Sequence, residues 1–332
     1  MKFLNDEKIS PPPGVISSLK SGFDITANHI GLILFPVLLD LFLWFGPHLR
    51  VENLLRIVHT MFDELARENL VPATEIQRMQ ESLGELASLG INLFSILRTF
   101  PIGISSLMNQ VFPALTPLGE PVSYQVGSGL SFFLWITGLT ILGWILGSIY
   151  FTWVAKVVLQ DKEQNLLWAS KTVFQATLLA VSLSIILTML GIPLLIVFAI
   201  FMQINAGLAQ FALLFLAFFA MWIIVPLFFS AHGIFAKKEN LIRSVISSFH
   251  LSRFTLPTSS FFVISVLVLS QGFNILWLTP SDNSWMMLVG VLGHAFITTS
   301  ALAASFIYYR DMNIWLELLL EKINSKATSA QA

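Results

Sequence analysis

Two ionisable side chains stand inside otherwise apolar stretches of this chain, and chemistry is looked for there first. Asp40 lies in a run from about residue 30 to 47, and His294 lies in a run from about 285 to 309. A carboxyl and an imidazole are suited to moving protons near neutral pH. A charge at the centre of a bilayer costs about 2.5–3.5 kcal/mol on insertion scales, so such groups must face protein or water. If the first run rises outward over 27–47 and the last descends inward over 286–308, Asp40 and His294 both lie about 4.5 Å to the outer side of the midplane, at 1.5 Å per residue. The sequence therefore predicts a shared polar pocket and makes these two the candidate binding residues. The competing reading is that each finds a nearby hydroxyl or the interface and does no chemistry. Thr298 and Thr299, one turn beyond His294, could supply such hydroxyls.

Nothing else in the chain assembles a catalytic constellation. There is no His-Glu-x-x-His, no phosphate-cradling glycine loop and no Gly-x-Ser-x-Gly. The absence of cysteine excludes disulfides, thiolate nucleophiles and cysteine-ligated metals. The expectation is of no catalytic residues, no metal and no cofactor. Gln271 and Asn274, together with Gln203, Asn205 and Gln210, read as polar groups that bind one helix to another.

The elements that must position Asp40 and His294 follow from the distribution of charge. Thr172 to Ala236 contains no Asp, Glu, Lys or Arg. As one helix it would be about three times longer than the ~30 Å hydrocarbon core. It must turn back on itself, and Gln203-Ile204-Asn205-Ala206-Gly207 is the polar, glycine-bearing place to do so. Gly191-Ile192-Pro193 reads as a kink within a helix. Spans are expected at 30–47, 130–155, 173–202, 208–231, 257–278 and 285–309. Hydrophobic residues make up 55% of the chain and charged residues 11%, with mean hydropathy +0.78. The fold class is therefore all-α: a polytopic membrane helical bundle of six transmembrane helices in a lipid bilayer. A net charge of −1 argues against nucleic acid as a partner.

The remaining segments are a cytoplasmic start at 1–29, with 1–13 disordered and an amphipathic stretch at 14–29, and a tail at 310–332 that frays from 323. Residues 48–129 carry five Arg, no Lys and eight acids. Leu54, Val58, Met61 and Leu65, then Ile76, Met79, Leu83 and Leu86, recur at helical spacing around the Val71-Pro72 break. They predict a helical hairpin or a long kinked helix over 51–98, whose apolar face needs a protein partner or a membrane surface. The prolines of 100–129 suggest a loop lying on the membrane. The other thirteen cations, from Lys2 to Lys326, all fall on one side of a six-span chain. By the positive-inside rule that side is the cytoplasm, which places both termini inside the cell membrane and the 48–129 insertion outside.

Three segments resemble one another: Gly14 to Phe23, Gln164 to Phe174 and Glu239 to Phe249. Val15, Ile16, Leu19 and Phe23 reproduce the spacing of Leu241, Ile242, Val245 and Phe249, with serines on the other face. This suggests three repeats, each an interfacial helix (near 164–174 and 239–249 in the later two) feeding a hairpin. The run from Trp222 to Arg253, with Pro226 and the Ser248-Phe249, Leu251 and Arg253 ending, and the later Tyr309-Arg310-Asp311, resembles the bacterial six-span family of the glycerophosphodiester phosphodiesterase membrane domain and its uncharacterised relatives. The resemblance covers about 170–320. It concerns the membrane part only, because the family's phosphodiesterase chemistry belongs to a separate soluble barrel, and the 48–129 insertion departs from the pattern. The resulting expectation is a non-enzymatic organising or regulatory membrane component. The rival is a small transporter or lipid/solute carrier using polar residues near the midplane.

Overall fold

The computed structural model describes residues 11–68, 72–111, 113, 115–160 and 166–331. It is all-α apart from one short pair of strands. The chain runs α1 (Val15–Asn28), α2 (Leu34–Phe45), β1 (His48–Arg50), α3 (Glu52–Arg67), α4 (Ala73–Ser88), β2 (Ser123–Gln125), α5 (Gly129–Leu159), α6 (Leu166–Ile204), α7 (Ala206–Ala236), α8 (Leu241–Trp277) and α9 (Met287–Gln331). Four of these helices are long and apolar enough to cross a membrane, and up to six spans result if two bent pairs each count as one. The lipid bilayer is the environment such helices require.

The chain forms two compact units. One comprises Met1–His29, Phe151–Ser270 and Thr299–Ala332, and the other Ile30–Tyr150 and Gln271–Thr298.

In the first unit the α6–α7 turn falls within the expected Gln203–Gly207 break. Asn205 caps α7, its side-chain oxygen accepting from the Gly207 and Leu208 N–H groups at 2.7 and 3.3 Å. Pro193 sits inside an unbroken α6. The segments expected as separate interfacial helices at 164–174 and 239–249 differ from expectation. From Leu166 and Leu241 onward they are continuous with α6 and α8, because no residue there breaks the helix. Only the α1 segment is a helix of its own. The packed face is also different. α1 buries Ser18, Gly22 and Thr26, while Ile16 is 80% exposed. α8 buries Ser244, Ser248, Ser252, Thr255 and Ser259. Small residues let helix backbones approach, and in lipid that matters more than apolarity. A Cβ at Gly22 would collide with the Ser300 carbonyl oxygen and stand 2.7 Å from the Ala304 nitrogen on α9. An aromatic core completes the unit, with Phe262 stacked on Tyr308 at 4.2 Å and Phe229 flanking both Tyr308 and Tyr309.

In the second unit the first apolar run is not a straight helix over 30–47. A 3-10 turn at Ile30–Ile33 leads into the 12-residue α2. α3 and α4 form a hairpin, joined where Gln80 Nε2 donates to Asp63 Oδ1 at 2.7 Å. Most of its apolar face is half-buried, and Met61, Met79 and Leu86 are exposed. β1 and β2 pair in parallel, His48 opposite Ser123. Residues 100–111 are not a surface loop, because Ile102, Ile104, Ser106, Leu107 and Met108 are buried. At the other end of the chain α9 stays helical to Gln331 rather than fraying from 323.

Several expectations lie outside the described residues: residues 1–10 of the disordered start expected over 1–13, with Lys2 and Lys8, the break at Val71, and residues 161–165, with Lys162, of the polar connection expected over 161–172.

Candidate functional site

The segment 97–111, buried at Leu97, Ile102, Ile104 and Ser106–Met108 and exposed at Phe100, sits in the second unit because α5 leaves room for it. Gly143 and Gly147, four residues apart, lie on one face of α5. A Cβ at Gly143 would stand 2.7 Å from the Leu97 carbonyl oxygen, and one at Gly147 would stand 2.6 Å from the Gly103 Cα. Between them, Trp144 Nε1 donates to the Phe100 carbonyl at 3.1 Å. The segment is irregular, so its backbone N–H and C=O groups lack the ladder a helix would give them. In an apolar setting each unsatisfied group costs several kcal/mol. Thr99 meets part of this need, its hydroxyl donating to the Ile102 carbonyl at 2.7 Å.

Asp40 meets a further part. It is fully buried on α2. Its Oδ1 accepts from the Ser106 hydroxyl at 2.6 Å and the Met108 N–H at 3.0 Å, and its Oδ2 accepts from the Leu107 N–H at 3.1 Å. Ser106 Oγ in turn accepts from the Asn109 N–H at 3.2 Å. The carboxylate thus serves as a cap for the short 3-10 turn at Met108–Gln110, as an N-cap side chain does for a helix.

His294 is buried on α9 and bonds the preceding residue of the same segment. Its Nε2 lies 2.9 Å from Ser105 Oγ, and its Nδ1 lies 2.8 Å from Asn274 Oδ1. With the amide oxygen as acceptor, Nδ1 carries the proton and Nε2 accepts from the Ser105 hydroxyl. Asn274 Nδ2 donates to Gln271 Oε1 at 3.3 Å. Thr298 donates to the His294 backbone carbonyl at 2.8 Å, not to the ring.

Asp40 and His294 therefore sit in one polar neighbourhood without pairing. Both carboxylate oxygens and both ring nitrogens are engaged elsewhere, on the adjacent residues Ser106 and Ser105. Arg98 is close enough to act electrostatically on both. The arrangement anchors an irregular buried segment at two adjacent serines, and Asp40 also accepts from the N–H groups of Leu107 and Met108.

Sequence reasoning singled out Asp40 and His294 but missed Ser105, Ser106 and Arg98, which lie in or beside the stretch read as a surface loop. It also missed His232 in the first unit. That ring bonds Ser305 Oγ at 2.7 Å and the Phe228 carbonyl at 3.0 Å, among Phe228, Phe229, Phe306 and Tyr309. His232 lies in the charge-free run, where neutral imidazole gives no signal in a count of charges. Gln203 and Gln210 are exposed.

No family model, no curated protein and no solved structure matches this chain.

Proposed function

We propose that this chain is a non-enzymatic protein of the cell membrane that organises or regulates protein partners. In this reading both termini are cytoplasmic and residues 48–129 lie on the far side. The observation that favours it over a small solute or lipid carrier is the engagement of the two in-span ionisable groups. Asp40 and His294 have every polar side-chain atom bound to the chain's own residues. A carrier working through them would have to break those bonds in each cycle, leaving the Leu107 and Met108 N–H groups unsatisfied in an apolar interior. The partner surface proposed is the α3–α4 hairpin, where Met61, Met79, Leu86 and Leu89 expose apolar area on helices rich in charge. A bacterial origin and kinship with the six-span family are proposed on the Pro226, Ser248-Phe249, Leu251, Arg253 and Tyr309-Arg310-Asp311 pattern alone.

A photo-crosslinking residue at Met61, in native membranes, tests the role. The expected result is a discrete protein adduct that disappears when Val58→Asp is added. A chain that gives no adduct, and in liposomes drives a solute flux abolished by Asp40→Asn, is a carrier instead. The orientation is tested separately, since the chain has no cysteine of its own. Of single cysteines at Lys20, Glu85 and Ser325, only Glu85→Cys should react with an impermeant reagent in intact cells.

A further inference from the structure

The first four turns of α8 divide into two faces of opposite character. At 100° per residue, Ser244, Ser248, Ser252 and Thr255 fall within one arc and are buried. Arg243, Arg253, Ile242, Ile246, Phe249 and Phe254 fall within the other, and all are exposed. Ile242 and Ile246 are 67% and 63% exposed. The outward arc mixes apolar side chains with guanidinium groups, one of which lies 6.0 Å from the Phe254 ring centre. It carries no acid. No Asp or Glu occurs from Asn240 to Ser281, and Glu239 is turned to the Ser247 hydroxyl, which donates to it at 2.7 Å.

We propose that this arc of α8 is a binding surface for anionic phospholipid, with headgroup phosphates held at Arg243 and at Arg253, about 15 Å apart along the helix, and the apolar side chains between them, Ile246 and Phe249, against the lipid. The proposal rests on the bilayer reading and adds headgroup selectivity to it. Charge complementarity fixes the occupant. An exposed apolar-and-basic helix face beside long apolar spans suits a surface that is apolar below and negative above. Arginine rather than lysine suits a phosphate, because its fork donates two parallel bonds.

The test uses the full-length protein. It is reconstituted into nanodiscs of phosphatidylcholine or of phosphatidylcholine with phosphatidylglycerol, and the lipid retained after release is measured by native mass spectrometry. Each arginine near an anionic surface is worth about fivefold in affinity, so the pair is expected to give about 25-fold retention of phosphatidylglycerol over phosphatidylcholine. Arg243→Gln with Arg253→Gln should abolish the preference, and salt raised to about 0.5 M should reduce it. Arg56→Gln, on α3, should leave it intact. Incorporation of the wild type with no headgroup preference, or a preference that survives the double substitution, overturns the lipid site. If the double variant does not fold, the headgroup and salt comparisons on the wild type decide. Failure of the wild type to enter either nanodisc overturns the bilayer reading itself.

Discussion

The two units are held together by different means. In the first unit every long segment described is regular helix, and small residues let the helices approach beside an aromatic core. Ser18, Gly22 and Thr26 on α1 and the serine stripe on α8 are buried; the hydroxyls of Ser18, Thr26 and Thr255 bond within their own helices, and those of Ser248 and Ser252 have no hydrogen-bond partner. In the second unit the buried segment 97–111 is irregular, and side chains hold it by directed bonds from Asp40, Ser106 and His294. The difference follows from backbone hydrogen bonding. A helix satisfies its own N–H and C=O groups, so it needs only close approach. An irregular segment in apolar surroundings does not, so it recruits acceptors and donors from neighbours. Asp40, itself on helix α2, turns its carboxylate to the neighbouring stretch whose backbone is not α-helical.

Substitutions can break or sharpen this contrast. The largest effect is expected from Asp40→Ala, which leaves one hydroxyl and two N–H groups without their acceptor. It should lower stability by about 3–5 kcal/mol, read as thermal unfolding in detergent. A change within experimental error would show that the segment does not depend on the carboxylate. Gly22→Ala comes next. Its Cβ meets backbone atoms of α9 that cannot rotate away, and overpacking of this kind costs about 1–3 kcal/mol. An unchanged melting temperature would mean that α1 is not seated on α9.

Serine replacements separate the two mechanisms more finely. Ser106→Ala removes a donor to Asp40 and an acceptor for Asn109, and should cost about 1–2 kcal/mol. Ser248→Ala removes a hydroxyl with no partner and should fall within about 0.5 kcal/mol of the parent. Equal costs at the two positions would erase the distinction.

The smallest expected effect is a pH dependence at His48, outside the apolar helices. Burial and the nearby Arg50 guanidinium hold this imidazole below its ordinary pKa of 6.5. The unfolded chain therefore binds a proton more readily than the folded one. The stability this group contributes is present above about pH 6.5 and is lost as pH falls below it. Melting temperatures between pH 7.5 and 5 should decline, and His48→Gln should flatten the decline. An unaltered slope in the variant would remove His48 from the account.

The helical class and the α6–α7 turn were legible because a charge-free stretch of that length has few alternatives in water or in lipid. Asp40 and His294 were legible as rare ionisable residues in apolar runs, and the structure places them on the adjacent residues Ser106 and Ser105. Those partners were not legible. Prolines at 101, 113 and 117 signal a break in helix, but the same signal fits a surface loop and a buried irregular segment. What decides between them is Gly143 and Gly147 on a distant helix, a relation that no local pattern carries. The packed face of α1 was misread for a related reason. Apolar periodicity marks the buried face in water, whereas in lipid the apolar face can point outward and the small residues inward.

Asp40 holds the 97–111 segment inside the protein through the Ser106 hydroxyl and the Leu107 and Met108 N–H groups. A cysteine placed at Leu107, in a chain that has none of its own, reports on it directly through its rate of reaction with a water-soluble maleimide in detergent. With Asp40 present, Leu107→Cys should be protected. With Asp40→Ala added, it should react at least tenfold faster while the helical content is unchanged. Rapid labelling with Asp40 in place, or a rate indifferent to residue 40, would contradict the account.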